Sequence, residues 1–236
     1  LRSGPGGDDR LANSAARANL RRVTQSSSAT PMCDAETLAY YRRHTPIYAA
    51  GGPGGVSRCL ARFLSMLPDG ARILELGCGG GIDAEAMIAA GFEVDATEAI
   101  AEIAKKAERR LGRPVRVMRF DQVDADADYD AVWASASLIH VPRPALPDVL
   151  RLVFRALKPG GLHFATYKSG GEEGRDRSGR YYNYLDEGRL IDIYRMAAQW
   201  RNLQVSAYEG GGFDGGQGPW VSIAARRPTA SIASDP

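Results

Sequence analysis

The sequence predicts an α/β protein built on a doubly wound, largely parallel sheet. Short apolar runs rich in β-formers alternate with longer segments whose apolar residues recur at helical spacing. One such run, Ile73-Leu74-Glu75-Leu76, enters a glycine cluster, Gly77-Cys78-Gly79-Gly80-Gly81. An alanine-rich helix from Ile82 to Ala90 follows and stops at Gly91. Strand, glycine turn and helix in this order open the nucleotide-binding half of a doubly wound sheet. The glycines let the backbone turn sharply and let a ligand approach it.

Bulk properties narrow the field. At 236 residues, 44% hydrophobic and 25% charged, the chain is long enough for one α/β domain with a sizeable core. A net charge of +2 is too small to argue for nucleic acid as a partner. No apolar run approaches the roughly 20 residues of a membrane span. The three cysteines, Cys33, Cys59 and Cys78, form no C-x-x-C pair and no metal-ligand spacing, so no metal is expected. Unpaired thiols suit a reducing, cytoplasmic setting.

Taken in order, residues 1–31 are rich in Gly, Ser, Ala, Arg and Asp and read as a disordered or weakly helical leader. Met32 opens the first patterned segment, so the expectation is that Met32 is the natural start and that the leader is vector-derived or an over-long gene model. Helices are predicted over Ala35–Tyr48 and Val56–Leu67, joined by Gly51-Gly52-Pro53-Gly54-Gly55, with Pro68-Asp69-Gly70 ending the second. After the glycine-loop helix come a strand at Phe92–Ala96, a helix at Glu102–Leu111 and a strand at Val115–Phe120. The acidic run Asp124–Asp128 is a surface turn. A strand at Tyr129–Ala134, a helix at Pro147–Leu157, a Pro-Gly-Gly turn at Leu157–Gly161 and a strand at Leu162–Tyr167 continue the alternation. A helix over Leu185–Gln199 precedes two strands, Leu203–Tyr208 and Trp220–Ala225, joined by a glycine-rich hairpin.

The glycine spacing separates two nucleotide-binding patterns. A dinucleotide fingerprint, G-x-G-x-x-G, needs glycine at position 82, where the chain has Ile82. The pattern present is E-x-G-x-G-x-G, with Glu75, Gly77, Gly79 and Gly81. This resembles motif I of the class I S-adenosylmethionine-dependent methyltransferases. The resemblance covers roughly residues 36–227 and is similar to small bacterial members related to tellurite-resistance enzymes. It implies a Rossmann-like seven-stranded mixed sheet of order 3-2-1-4-5-7-6, with helices on both faces and an antiparallel closing hairpin. It also implies one domain over residues 32–227, with a helical lid (32–70), a substrate loop (168–184) and a tail (228–236). The cofactor implied is S-adenosylmethionine, leaving as S-adenosylhomocysteine.

Site residues follow in part from spacing and in part from that likeness. Glu98 lies about 20 residues beyond the glycine loop, where an acid meets ribose hydroxyls; the alternative is a solvated acid at a helix start. By the likeness, Glu75, Gly77, Cys78, Gly79 and Gly81 form the amino-acid end of the cofactor site. Asp121 and Gln122 would meet adenine, with Asp121 otherwise a turn-forming residue. Backbone carbonyls at Ala134 and Ser135 would face the methionine amine. Tyr40, Tyr41 and Tyr48 are candidate lid residues near the cofactor, where an aromatic face can attract a sulfonium, or else merely pack their helix.

His140, beyond the tip of the fourth strand, is the candidate general base; otherwise it is a buried histidine before the Pro142 turn. His163 is expected to be structural. The stretch Arg175-Asp176-Arg177-Ser178-Gly179-Arg180-Tyr181-Tyr182-Asn183-Tyr184 carries three arginines and three tyrosines. Arginine forks recognise oxyanions and tyrosines supply amphipathic walls. Arg175, Arg177, Arg180, Tyr181, Tyr182 and Tyr184 are therefore the candidate substrate-binding residues, against the alternative of a solvated loop of Arg–Asp pairs. The expected function is methyl transfer to a small-molecule acceptor, an anion or metalloid oxyanion among the candidates, with no nucleic-acid or membrane partner. The rivals are a non-catalytic S-adenosylmethionine-binding protein and an NAD-dependent oxidoreductase.

Overall fold

The computed structural model describes Leu1 and residues 31–48, 55–212 and 216–229. The leader, the glycine-rich joint at 51–54 and the end of the tail, about which the sequence makes its expectations, lie outside the described residues. Seven strands form one sheet in the order β3-β2-β1-β4-β5-β9-β8. They are β1 (Arg72–Leu76), β2 (Glu93–Glu98), β3 (Arg116–Val117), β4 (Tyr129–Ser135), β5 (Leu157–Lys168), β8 (Arg201–Gly211) and β9 (Gln217–Arg226). A separate two-stranded hairpin, β6 (Gly174–Arg175) and β7 (Tyr181–Tyr182), projects after β5. Strands β1 to β5 pair in parallel, while β9 runs antiparallel to both β5 and β8. Counted along the large sheet alone, this is the expected 3-2-1-4-5-7-6 order.

The strand sequences explain why the sheet is buried on both faces. Residues alternate between two cores with period two. Ile73, Ala131, Trp133, Leu162 and Phe164 enter one core with Phe63, Ala84, Met87 and Ala104. Leu74, Leu76, Val132, Ala134, Ala165 and Tyr167 enter the other, with Val149, Leu150, Val153 and Tyr194. The helices supplying those partners are α3 (Leu60–Leu64), α4 (Ile82–Ala89) and α5 (Ala101–Leu111) on the first face. Helices α6 (Leu146–Ala156) and α7 (Glu187–Ala197) cover the second. Phe63, Trp133 and Phe164 form an aromatic cluster, with ring centroids 4.7 Å apart for Phe63–Trp133 and 5.3 Å for Trp133–Phe164.

Several boundaries differ from expectation for identifiable reasons. The first helix is divided into α1 (Ala35–Arg43) and α2 (Thr45–Tyr48). Pro46 lacks an N–H and would clash with the carbonyl of Arg42, so the helix cannot run through. Thr45 Oγ1 instead donates to the Arg42 carbonyl at 3.0 Å. The helix expected from Val56 begins at Leu60, because the Ser57 N–H donates to Asp83 Oδ1 at 2.7 Å rather than within a helix. The third strand is two residues long: past Met118 the Arg119 N–H donates to Gln122 Oε1 at 2.9 Å, and a 3-10 turn at Phe120–Gln122 takes over. Leu157 pairs with Tyr129 of β4 ahead of the Pro-Gly-Gly turn, and pairing resumes at Leu162 with Ala131 after a register break.

Among the described residues, no helix is long and apolar enough to cross a membrane. Truncating the fully buried Trp133 would leave a large cavity and take a donor from Asp83 Oδ2, now 3.1 Å from the indole Nε1. Trp133→Ala should therefore lower unfolding free energy by about 3–5 kcal/mol in urea titrations.

Candidate functional site

The glycine loop is shaped by close approach. Gly77, Gly79 and Gly81 have φ of 75°, 54° and 80°, a region L-residues avoid. The N–H groups of Gly77 and Cys78 both donate to the Thr97 carbonyl, at 3.0 and 2.8 Å, laying the loop across the end of β2. A Cβ at Gly77 would stand 2.8 Å from Ser137 Cβ, so only glycine fits. Gly81 caps α4 and serves packing, since a Cβ there would lie 3.2 Å from Ala107 Cβ. The Cys78 thiol is buried against the loop, and burial, with Glu75 and Glu98 nearby, pushes it well above the usual thiol range.

Glu98 closes β2 beneath this loop. Its Oε2 accepts from the Gly79 N–H at 3.1 Å and its Oε1 from the Ile100 N–H at 3.0 Å. Burial raises its pKa, opposed by those backbone donors. Each oxygen retains a further lone pair. Behind the loop, Glu75 is buried and its Oε2 has no partner among the described residues. Burial, then the charges of Asp83 and Glu98, raise the Glu75 carboxyl well above the usual range.

A cavity with about 730 Å³ of space, part of it open to solvent, is bounded by Gly77, Gly79 and Glu98. Ile100, Ile103, Phe120, Met32 and Leu38 supply apolar walls, Cys33 sits beside Phe120 and Asp121, and Tyr41, Ser137 and His140 complete the inner end. Of the expected cofactor residues, Gly77, Gly79 and Glu98 line it; Glu75, Cys78, Gly81 and Ala134 sit behind as support. Asp121 stands outside the lining, where Arg119 forks onto both its oxygens at 2.9 and 3.0 Å. Gln122 spends its side-chain oxygen on the turn. Ser135 faces a second cleft, its Oγ 2.8 Å from Ser57 Oγ.

The roof consists of α1 and the β6–β7 hairpin. Asp34 caps α1, accepting from Thr37 N at 2.8 Å, and takes both arms of the Arg175 guanidinium at 2.9 and 2.7 Å. Burial of Asp34 works against its ionisation, but Arg175 and Thr37 outweigh it and hold the carboxyl below its ordinary value. The Tyr181 N–H donates to Thr37 Oγ1 at 2.8 Å. Arg180 is buried, forked onto Asp176 at 2.8 and 2.7 Å, and lies between the rings of Tyr40 and Tyr182 at 5.0 and 5.3 Å. Asn183, buried, donates to the carbonyls of Leu138 and Val141 and ties the loop to the turn that carries His140.

The arginine–tyrosine loop, expected to bind substrate, spends most of its polar groups within the protein in this arrangement. Arg175 and Arg180 use their forks on Asp34 and Asp176, Arg177 is exposed at the hairpin tip, and none of the three lines the cavity. Tyr181 bonds Glu173 through its hydroxyl, Tyr182 is buried beside His140, and Tyr184 packs on Tyr182 at 5.5 Å. Tyr40 stacks on His44 at 4.0 Å outside the cavity, and it is Tyr41 that faces inward. The Tyr48 side chain lies outside the described residues.

His140 is held at both ring nitrogens. A carbonyl can only accept, so Nδ1–H donates to Tyr181 O at 2.6 Å, and Nε2 accepts from the Tyr41 hydroxyl, also at 2.6 Å. Burial pushes the imidazole down to about 4. His163, stacked on Tyr194 and bonded to Val132 O, is likewise pushed down to about 4 by burial. Sequence reasoning missed the inner-end role of Ala136, which takes φ of 51° and donates its N–H to Thr166 Oγ1 at 2.9 Å. It also missed Cys33 and Asn183, whose positions depend on contacts distant in sequence.

A family model described as "Methyltransferase domain" matches residues 48–203. The chain belongs to that methyltransferase family. A ubiquinone biosynthesis O-methyltransferase from Xanthomonas oryzae pv. oryzae is 36% identical over 104 residues, which make up 41% of this chain and 43% of the relative. The stretch shared with that curated relative is thus less than half its length. A solved S-adenosylmethionine-dependent methyltransferase from Methanosarcina mazei superposes with a TM-score of 0.64 at 17% identity, covering 74% of this chain and 99% of the other. The 1,6-didemethyltoxoflavin N1-methyltransferase of Burkholderia thailandensis, solved with 1,6-didemethyltoxoflavin and S-adenosylhomocysteine, gives 0.66 at 20% identity, covering 85% and 93%. These likenesses establish the class I methyltransferase fold. The order of the sheet and its antiparallel closing pair agree with it.

The two buried histidines imply a pH response. With folded values near 4 against about 6.5 unfolded, the native state binds fewer protons between those limits. Their contribution to stability is complete above about 6.5 and is lost as pH falls towards 4. Imidazole NMR resonances of His140 and His163 should stay at their neutral positions from pH 8 down to about 5; titration of either near 6.5 would contradict the burial described.

Proposed function

We propose that this chain binds S-adenosylmethionine and transfers its methyl group to a small acceptor. One observation carries the reading: a buried carboxylate, Glu98, fixed by the backbone of the glycine loop, opens on a cavity walled by Ile100, Ile103 and Phe120. When bound, the sulfonium cofactor supplies an activated methyl group and leaves as S-adenosylhomocysteine.

Glu98 offers its remaining lone pairs to the two ribose hydroxyls. Ile100, Ile103 and Phe120 give the base an apolar slot, with Asp121 behind Cys33 and Arg119 as its outer polar neighbour. Gly77 and Gly79 admit the amino-acid end close to backbone, and the orphaned Glu75 Oε2 suits an ammonium group reached directly or through water. These residues fit the cofactor. Helix α1 and the β6–β7 hairpin form the lid, which excludes water and fixes alignment.

At the inner end, Tyr41 and His140 act as a pair. An imidazole titrating near 4 lies about 3 units below neutral pH, so protonating it there costs about 4 kcal/mol. That penalty weighs against His140 as a free general base and favours a positioning role, in which neutral Nε2 orients the Tyr41 hydroxyl towards the reacting groups. The three free thiols support a reducing, cytoplasmic setting.

Calorimetry with S-adenosylhomocysteine should show binding to the parent and at least tenfold weaker binding to Glu98→Ala, a loss of about 1.4 kcal/mol or more. No heat with the parent would sink the proposal. Incubation with methyl-labelled S-adenosylmethionine and a small-molecule extract should then label an acceptor; binding without label would leave only a carrier. Tyr41→Phe, His140→Gln and the double variant should lower labelling to the same level, because the two side chains act through one hydrogen bond. Losses that multiply in the double variant would refute the pairing.

A further inference from the structure

A second cleft adjoins the first at Ala136, which lines both. It opens between residues 55–59 and the β8–β9 hairpin, with about 1170 Å³ of space in contact with solvent. Its chemistry differs from that of the nucleoside cavity. Tyr208 and Trp220 stack at 6.4 Å and 18° to form one broad aromatic wall. Gly210 presses against both rings: a Cβ there would stand 3.0 Å from Trp220 and 3.1 Å from Tyr208. Adjoining the wall, where Thr166 meets the Tyr208 side chain, runs a row of hydroxyls, Ser57 to Ser135 at 2.8 Å and Ser135 to Thr166 at 3.5 Å.

The cleft also carries positive charge left over from pairing. Arg58 lies over Tyr208 at 5.7 Å and is steadied by a hydrogen bond to the Glu209 backbone carbonyl. Among the described residues Arg58 enters no ion pair, in contrast to Arg175 and Arg180. Glu209, the one carboxylate among the lining residues, is exposed.

We infer that this second cleft receives the methyl acceptor, and that the acceptor is a planar aromatic acid whose ring lies on the Tyr208–Trp220 wall with its oxyanion towards Arg58. This rests on the methyl-transfer reading above. An aromatic face recognises a flat ring, a guanidinium recognises a carboxylate or phenolate by paired hydrogen bonds, and the hydroxyl row accommodates further oxygen substituents. The charge selectivity sought in the hairpin arginines is thus supplied by Arg58, in a segment before β1.

The cysteines allow both clefts to be read in one experiment. Cys59 lines the second cleft, Cys33 lines the first, and Cys78 is buried. N-ethylmaleimide modification, mapped by peptide mass, would be followed with benzoate as the probe, benzamide as its neutral isostere and S-adenosylhomocysteine as a separate arm. Benzoate should slow modification of Cys59 at least about fivefold and leave Cys33 unaffected, and benzamide should need about tenfold higher concentration for the same protection. Arg58→Gln should abolish benzoate protection while S-adenosylhomocysteine still protects Cys33. Saturation-transfer NMR from protein to benzoate reads the same contrast whatever the thiol reactivity. Equal protection by benzoate and benzamide, unchanged benzoate binding in Arg58→Gln, or no benzoate contact in either measurement would overturn the inference. Failure of S-adenosylhomocysteine to protect Cys33 would count against the methyl-transfer reading instead, and the benzoate arms would still report on the cleft.

Discussion

The structure turns on a carboxylate that sits where three backbone segments meet. Glu98 ends β2, accepts from the glycine loop after β1, and accepts from the first turn of α5. Taking a carboxylate out of water is costly unless donors replace the lost hydration, and here two backbone N–H groups do so. The same two bonds tie the glycine loop to the start of α5, and Gly79, Glu98 and Ile100 all line the cavity. Gly77 adds the opposing constraint, because Ser137 from the far side of β1 leaves it no room for a side chain. Sheet order, loop shape and cavity are therefore one problem with one solution.

The roof follows a different logic. Its anchors are polar and join segments far apart in the chain: Asp34 to Arg175, Thr37 to Tyr181, Tyr40 to Arg180. The Asp34–Arg175 pair involves a partly exposed guanidinium, so screening keeps its worth modest. The buried Asn183 amide and the Thr37 hydroxyl supply what the ion pair does not. The hydrogen bonds of this lid are few, and its firmest hold on the sheet is Tyr182 of β7, which is buried in the core that also contains Val132 and Tyr167.

Much of this was legible in the residues because it is local. The strand–glycine–helix run and the spacing to Glu98 need only neighbours to be read, and Ile82 separates the pattern from a dinucleotide site without reference to anything distant. What could not be read depended on long-range docking. Tyr40 and Tyr41 are adjacent on one helix, so which faces inward is decided by how Asp34 and Arg175 seat that helix. The hairpin arginines have the composition of an anion site, but their acids lie at Asp176, close in sequence, and at Asp34, 141 residues away. Asp121 matched its expected position in sequence, yet β3 ends after two residues and turns the carboxylate onto Arg119. Ala136 carries no signal for its left-handed backbone, which the Thr166 hydroxyl holds from the neighbouring strand.

The placement of the last strand has a consequence for synthesis. β9 lies between β5 and β8, so the edge of β5 gains its partner only when residues 217–226 have emerged from the ribosome. At ~5–20 residues per second that edge waits roughly 3–12 s after Lys168 is made. Leu162-His163-Phe164-Ala165-Thr166-Tyr167 is an uncharged, β-prone hexapeptide, the kind of unpaired edge that recruits a neighbouring nascent chain. The parallel half of the sheet is therefore assembled with an open seam, and the C-terminal strand is the piece that seals it.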